Sequence, residues 1–228
     1  MNATSTFVGA LAAVALAGQP GGLPQGGETV HLDPADFTTR IDNPYWPMRP
    51  GSRLVYRETD REGAKQRDVV TVTHRTKLIA NGIAARVVHD VATEHGTPVE
   101  VTDDWYAQDR AGNVWYLGEH TTEYRNGKPR STEGSFEAGV DGAQPGVIVP
   151  AHPKAGQRYR QEYYKRHAED RGRVLFVRRE LVMTADVSPL PPRQLEYKLY
   201  ARGVGPVLSV GVIGSSDVER LVSYRAGS

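Results

Sequence analysis

The side chains best equipped for chemistry in this sequence are carboxylates, and they gather in two places. Asp103, Asp104, Glu119 and Glu123 flank an aromatic-rich segment at 104–119. Glu133, Glu137 and Asp141 lie with His152 in a Gly/Pro-rich stretch at 133–153. Oxygens at this density suit a hard divalent cation such as Ca²⁺ or Mg²⁺, and a histidine nitrogen extends the choice to Zn²⁺ or Mn²⁺. Glu119, Glu137, Asp141 and His152 form the candidate ligand set. A cation held there would lower the pKa of bound water, which could then attack an ester or phosphoester. The plainer reading is that these are solvated loop acids, because exposed carboxylates are the rule.

Other chemistries lack their residues. With no cysteine in 228 residues, disulfides, thiolate zinc sites and thiol nucleophiles are all excluded. There is no Gly-x-Ser-x-Gly elbow and no phosphate-binding glycine loop, and Gly203-Val204-Gly205 stops short of a dinucleotide fingerprint. His167-Ala168-Glu169 lacks the paired cysteines of a deaminase, and no His-Glu-x-x-His is present. In Asp109-Arg110-Ala111-Gly112-Asn113, Arg110 and Ala111 stand where a calcium loop needs oxygens, so that segment reads as a turn. The 28 Lys and Arg residues nearly balance the 27 Asp and Glu residues. A net charge of +1 provides no field for nucleic acid, which is not expected as a partner.

Elements that could position these groups follow from short β-favouring runs at 53–59, 66–74, 83–93, 98–108 and 113–119, then 157–165, 173–186, 194–201, 206–213 and 218–225. Turn residues punctuate the first series at Asn81-Gly82, His95-Gly96, Gly112-Asn113 and Asn126-Gly127. About ten strands in this spacing predict an all-β fold, an antiparallel meander forming a barrel or half-barrel of lipocalin or lipoprotein-carrier type. The segment 164–179 tolerates helix by composition, but Val174-Leu175-Phe176-Val177 favours strand. The proline-rich run 42–51 must be extended, with Tyr45 and Trp46 covering one end of the core. Loop 133–153 is long enough to be functional, and Val147-Ile148-Val149 implies that part of it docks.

The N-terminus reads differently. Residues 7–17 form an apolar run ending in Ala15-Leu16-Ala17, the pattern of a signal peptide over 1–17, although no basic residue precedes the run. It is too short to span a membrane, which needs about 20 residues, so no transmembrane segment is expected. Gln19 stands where a lipidated cysteine would follow a lipobox. Residues 18–41 read as a flexible linker and 42–228 as one β domain. The chain is therefore expected to be exported, whether secreted, periplasmic or envelope-associated.

Several blocks resemble a family of uncharacterised exported bacterial proteins, mostly actinobacterial. These are the hairpin at 104–119, the Ser131-Thr132-Glu133-Gly134-Ser135 run with the loop after it, Tyr159-Arg160-Gln161-Glu162-Tyr163-Tyr164, and Tyr200-Ala201-Arg202-Gly203-Val204-Gly205. The Tyr200–Gly205 tail is also similar to one that recurs in envelope proteins with open-barrel folds like those of lipoprotein carriers, and the family resemblance implies no particular activity. Three functions remain in view. The first is an exported barrel binding a small amphipathic ligand, with Trp105, Trp115, Tyr159 and Tyr163 as apolar walls and Glu162 beside them. The second is a metal-dependent hydrolase using the same cavity. The third is a structural envelope protein without a pocket. A further face, Glu196, Lys198 and Tyr200, alternates with Leu195, Tyr197 and Leu199 and could turn either inward or outward.

Overall fold

A computed structural model describes residues 22–60, 63 and 65–227. The signal peptide expected over 1–17 lies outside them. Sixteen strands follow one another with a single 3₁₀ turn, Pro34–Asp36, among the described residues. They are β1 (Phe37–Thr38), β2 (Arg53–Thr59), β3 (Lys65–Leu78), β4 (Ala84–Glu94), β5 (Thr97–Asp109), β6 (Val114–Arg125), β7 (Lys128–Ser131) and β8 (Phe136–Glu137). The second half holds β9 (Gln144–Val149), β10 (Arg158–Arg160), β11 (Glu162–Tyr163), β12 (Arg171–Val177), β13 (Leu181–Ser188), β14 (Gln194–Ala201), β15 (Gly205–Ile213) and β16 (Val218–Arg225).

Thirteen of these form one antiparallel path, β10-β12-β13-β14-β15-β16-β2-β3-β4-β5-β6-β9-β11. Its two ends, β10 and β11, are separated only by Gln161, so the sheet curls nearly shut into a barrel. The closing seam depends on Gly146 in β9: a Cβ there would collide with the Gln161 and Arg160 carbonyls. The barrel class agrees with the sequence reading, but the count of about ten strands does not. The segment 173–186 is two strands, broken by the reverse turn at Arg178–Leu181. Short β8 and β9 are drawn from loop 133–153 because β6 offers them an edge to pair with.

Two buried arginines tie the N-terminal segment to the barrel. Arg160, 1% exposed, donates to the carbonyls of Gly26, Glu28 and Pro145. Arg86 donates to the carbonyls of Thr39, His74 and Arg75. The described part of the expected linker, residues 22–41, lies along the barrel with Leu23, Val30, Leu32 and Phe37 against the core. The proline-rich run follows as a plug. Asn43 donates to the Gly112 and Pro150 carbonyls, Tyr45 and Met48 are buried, and the Trp46 ring packs 5.5 Å from Tyr106 and 6.0 Å from Tyr200.

Candidate functional site

The barrel encloses a cavity of about 360 Å³. Strand alternation decides what faces it. On β5 the inward residues are Asp104 and Tyr106, on β4 Val88 and Asp90, on β3 Asp68 and Val70, and on β14 Glu196, Lys198 and Tyr200. Trp46, Tyr106, Tyr116 and Tyr200 make an aromatic floor, with Tyr106 and Tyr116 stacked at 5.0 Å. Above it the walls are carboxylates: Asp68, Asp90, Asp104, Glu119, Glu162, Asp170, Asp186, Glu196 and Glu219. A neighbouring depression shares Asp68, Asp90 and Glu219 and adds Glu58, Glu100 and Glu123. Among the described residues Lys198 is the one basic residue lining either space.

Low-dielectric surroundings and mutual repulsion shape how these acids ionise. Burial, then the Asp104 charge, pushes Glu119 up to about 8. Burial lifts Asp104 to about 7 even though the Tyr116 hydroxyl opposes the shift. That hydroxyl lies 2.7 Å from Asp104 Oδ1 and 2.9 Å from Glu119 Oε2. It has one proton to donate, so the two carboxyls cannot both be satisfied by it as anions. Burial, with repulsion from Asp68, raises Glu219 to about 8. Asp90, hydrogen-bonded to Asp68, and Glu162, facing Asp170, also rise well above the usual carboxylate range, in both cases first through burial. Burial alone would lower Lys198, but Glu196 at 3.1 Å and Asp186 at 3.5 Å hold its ammonium well above its ordinary value.

Of the residues singled out from the sequence, Trp46, Asp104, Glu119, Glu162 and the face Glu196, Lys198 and Tyr200 line the cavity. Trp105 and Trp115 do not, and the aromatic wall assigned to them belongs to their neighbours Tyr106 and Tyr116. The hairpin forms as its sequence predicts, but alternation points both indoles to the opposite face. There Phe37 meets Trp115 edge-on at 6.0 Å, Asp109 accepts from Trp115 Nε1 at 2.8 Å, and the Lys77 ammonium sits 4.4 Å from the Trp105 ring centroid. Tyr159 is buried against Gly172 behind the wall, and Tyr163 lies against Gly27 of the N-terminal segment.

The expected metal set does not assemble. Glu137 pairs with Lys77 at 2.9 Å and accepts from the Ala80 N–H, Asp141 occupies an exposed turn at φ 48°, and His152 borders a separate depression beside Asp42 and Tyr45. Among the described residues no three His, Asp or Glu side chains converge as metal ligands would. Asp103 turns away from the cavity into a bidentate pair with Arg75 and a 2.7 Å contact with His89. Glu133 is exposed, while Glu123 lines the neighbouring depression. Asp68, Asp90, Asp170, Asp186 and Glu219 went unrecognised. Asp68 and Asp90 carry one local signal, a valine two residues away on the same strand face, as Asp68-x-Val70 and Val88-x-Asp90, whereas Asp170, Asp186 and Glu219 have no valine or tyrosine at that spacing.

No family model and no curated protein matches the chain. Among solved structures, a candidate lipoprotein from Parabacteroides distasonis aligns at 15% identity and a TM-score of 0.46, over 79% of this chain and 98% of that one. A likeness that slight says nothing about function. No helix among the described residues is long and apolar enough to cross a membrane.

Proposed function

We propose that the protein is an exported barrel that binds a small amphipathic molecule in its interior. The observation carrying this reading is the cavity itself, an aromatic floor beneath polar walls inside a nearly closed sheet. Its volume of about 360 Å³ falls at the lower end of the roughly 300–1,000 Å³ typical of small-molecule sites. A structural protein without a pocket would fill that space, since cores are normally packed to crystal-like density. Export rests on the apolar run at 7–17 and its small-residue end.

Trp46 supplies the test because its ring borders the cavity while Trp105 and Trp115 lie on the opposite face. Amphipathic small molecules bound inside should change indole emission in the wild type, and the change should vanish in Trp46→Phe while a thermal shift persists. If no compound in a panel of cationic, neutral and anionic amphiphiles alters emission or melting temperature, the binding reading fails.

A further inference from the structure

Acid and base are segregated in this molecule to a degree that net charge conceals. Among the described residues, twelve acids line the cavity and its neighbouring depression, against one basic residue. Lys198 serves Glu196 and Asp186. Among the described residues no ion pair reaches the other two groups, Asp68, Asp90 and Glu219 on β3, β4 and β16, or Asp104, Glu119, Glu162 and Asp170 around β5, β6 and β11.

Polar groups left without hydrogen-bond partners point the same way. Asp186 is 8% exposed, and neither carboxylate oxygen has a hydrogen-bond partner, since Lys198 Nζ stops 3.5 Å from Oδ2. Asp68, which also lines the cavity, has a buried Oδ1 without a partner. Buried acceptors in natural proteins are nearly always satisfied, so such oxygens mark where a ligand's donors would fit.

Resting on the small-molecule reading above, we infer that the ligand is an organic cation bearing at least two amino groups, of the diamine or polyamine class. The unpaired carboxylates line the cavity on β3, β4, β5, β6, β11 and β16, more negative charge than one ammonium neutralises, so two positive centres joined by a short apolar spacer suit them. Tyr106, Tyr116 and Trp46 offer that spacer a surface and the ammonium heads ring faces. A divalent metal ion fits less well, because it requires several oxygens drawn together at 2.3–2.6 Å, whereas these carboxylates are spread over the walls. The acids of the neighbouring depression, which shares Asp68, Asp90 and Glu219 with the cavity, would concentrate cations beside it.

Calorimetry on the full chain at pH 8 separates the outcomes, with putrescine and spermidine as probes against a diol of equal length, a fatty acid and Ca²⁺. The amines should bind at least tenfold more tightly than the diol. Asp68→Asn/Glu219→Gln should weaken them tenfold or more without lowering the melting temperature, a combination that a purely structural role would not give. Binding of the diol or fatty acid equal to or tighter than that of the amines overturns the cation assignment and leaves the small-molecule reading standing. Ca²⁺ binding that amines fail to compete overturns it in favour of a metal. Silence from every probe, with Trp46 emission also unmoved by the wider panel, removes both.

Discussion

At the scale of single residues the cavity trades stability for charge. The folded-state values of Asp104, about 7, and of Glu119 and Glu219, about 8, lie above their reference values of 3.8 and 4.5. The folded protein therefore holds protons that the unfolded chain has released across that interval. A carboxyl raised in this way contributes its full stabilisation below the unfolded value and loses it as pH climbs through the folded one. Melting temperature should fall as pH rises from about 5 to about 9, by this linkage, and Asp104→Asn should flatten the fall; scanning calorimetry across that range is the check. A melting temperature that rises with pH would contradict the ionisation described for the Tyr116-bridged pair. Cation binding should run the opposite way, strengthening with pH as the walls ionise.

Among the elements, the seam and the N-terminal segment depend on one side chain. Arg160 reaches three carbonyls from a position where its charge is shielded from water. Losing such charged hydrogen bonds costs about 1.5–3 kcal/mol each when partners are left buried, so Arg160→Ala should destabilise the fold by several kcal/mol. It should also free residues 22–35 to a protease before the barrel unfolds, visible as early cleavage in a limited digest. Retention of that segment at wild-type rates would mean that the apolar contacts of Leu23, Val30 and Leu32 and the hydrogen bonds of Pro24, Gln25 and Val30 hold it without the guanidinium. Lysine at position 160 would not rescue it, because an ammonium lacks the planar fork that spans separate acceptors.

For the whole molecule, removing the twelve acids and Lys198 from the count leaves 27 basic against 15 acidic residues elsewhere in the chain. The nine acids of the cavity, served by one lysine, repel one another, and relief of that repulsion should show as stability. Asp68→Asn/Glu219→Gln should raise the melting temperature at pH 8 by about 2–4 °C for each ~1 kcal/mol gained, with a smaller gain at pH 5, where the Glu219 carboxyl is protonated. Calorimetric scans of the double variant at the two pH values decide it. A lower melting temperature at pH 8 would show that these carboxylates support the fold, not only a ligand.

What the sequence by itself determined was the meander. The boundaries of β2, β14 and β16 match the runs at 53–59, 194–201 and 218–225, because β-branched and aromatic runs and the turns between them are local properties of the chain. The hairpin at Asp109–Asn113 was legible for the same reason, and so was the presence of carboxylates near it. Which face turned inward was not. Period-two alternation places Tyr106 opposite Trp105 and Lys198 opposite Tyr197 without saying which of the two meets the core. A sheet with aromatics on both faces and a second apolar cover, here Phe37 and the segment before it, removes the usual contrast. Only closure of β10 and β11 around Gln161 settled the matter. Curling the sheet brought Asp68, Asp104, Glu162 and Glu219, far apart in sequence, around one space, and left Glu137, Asp141 and His152 apart. Charge gathered by closure is a long-range property, so a balanced composition gave no sign of it.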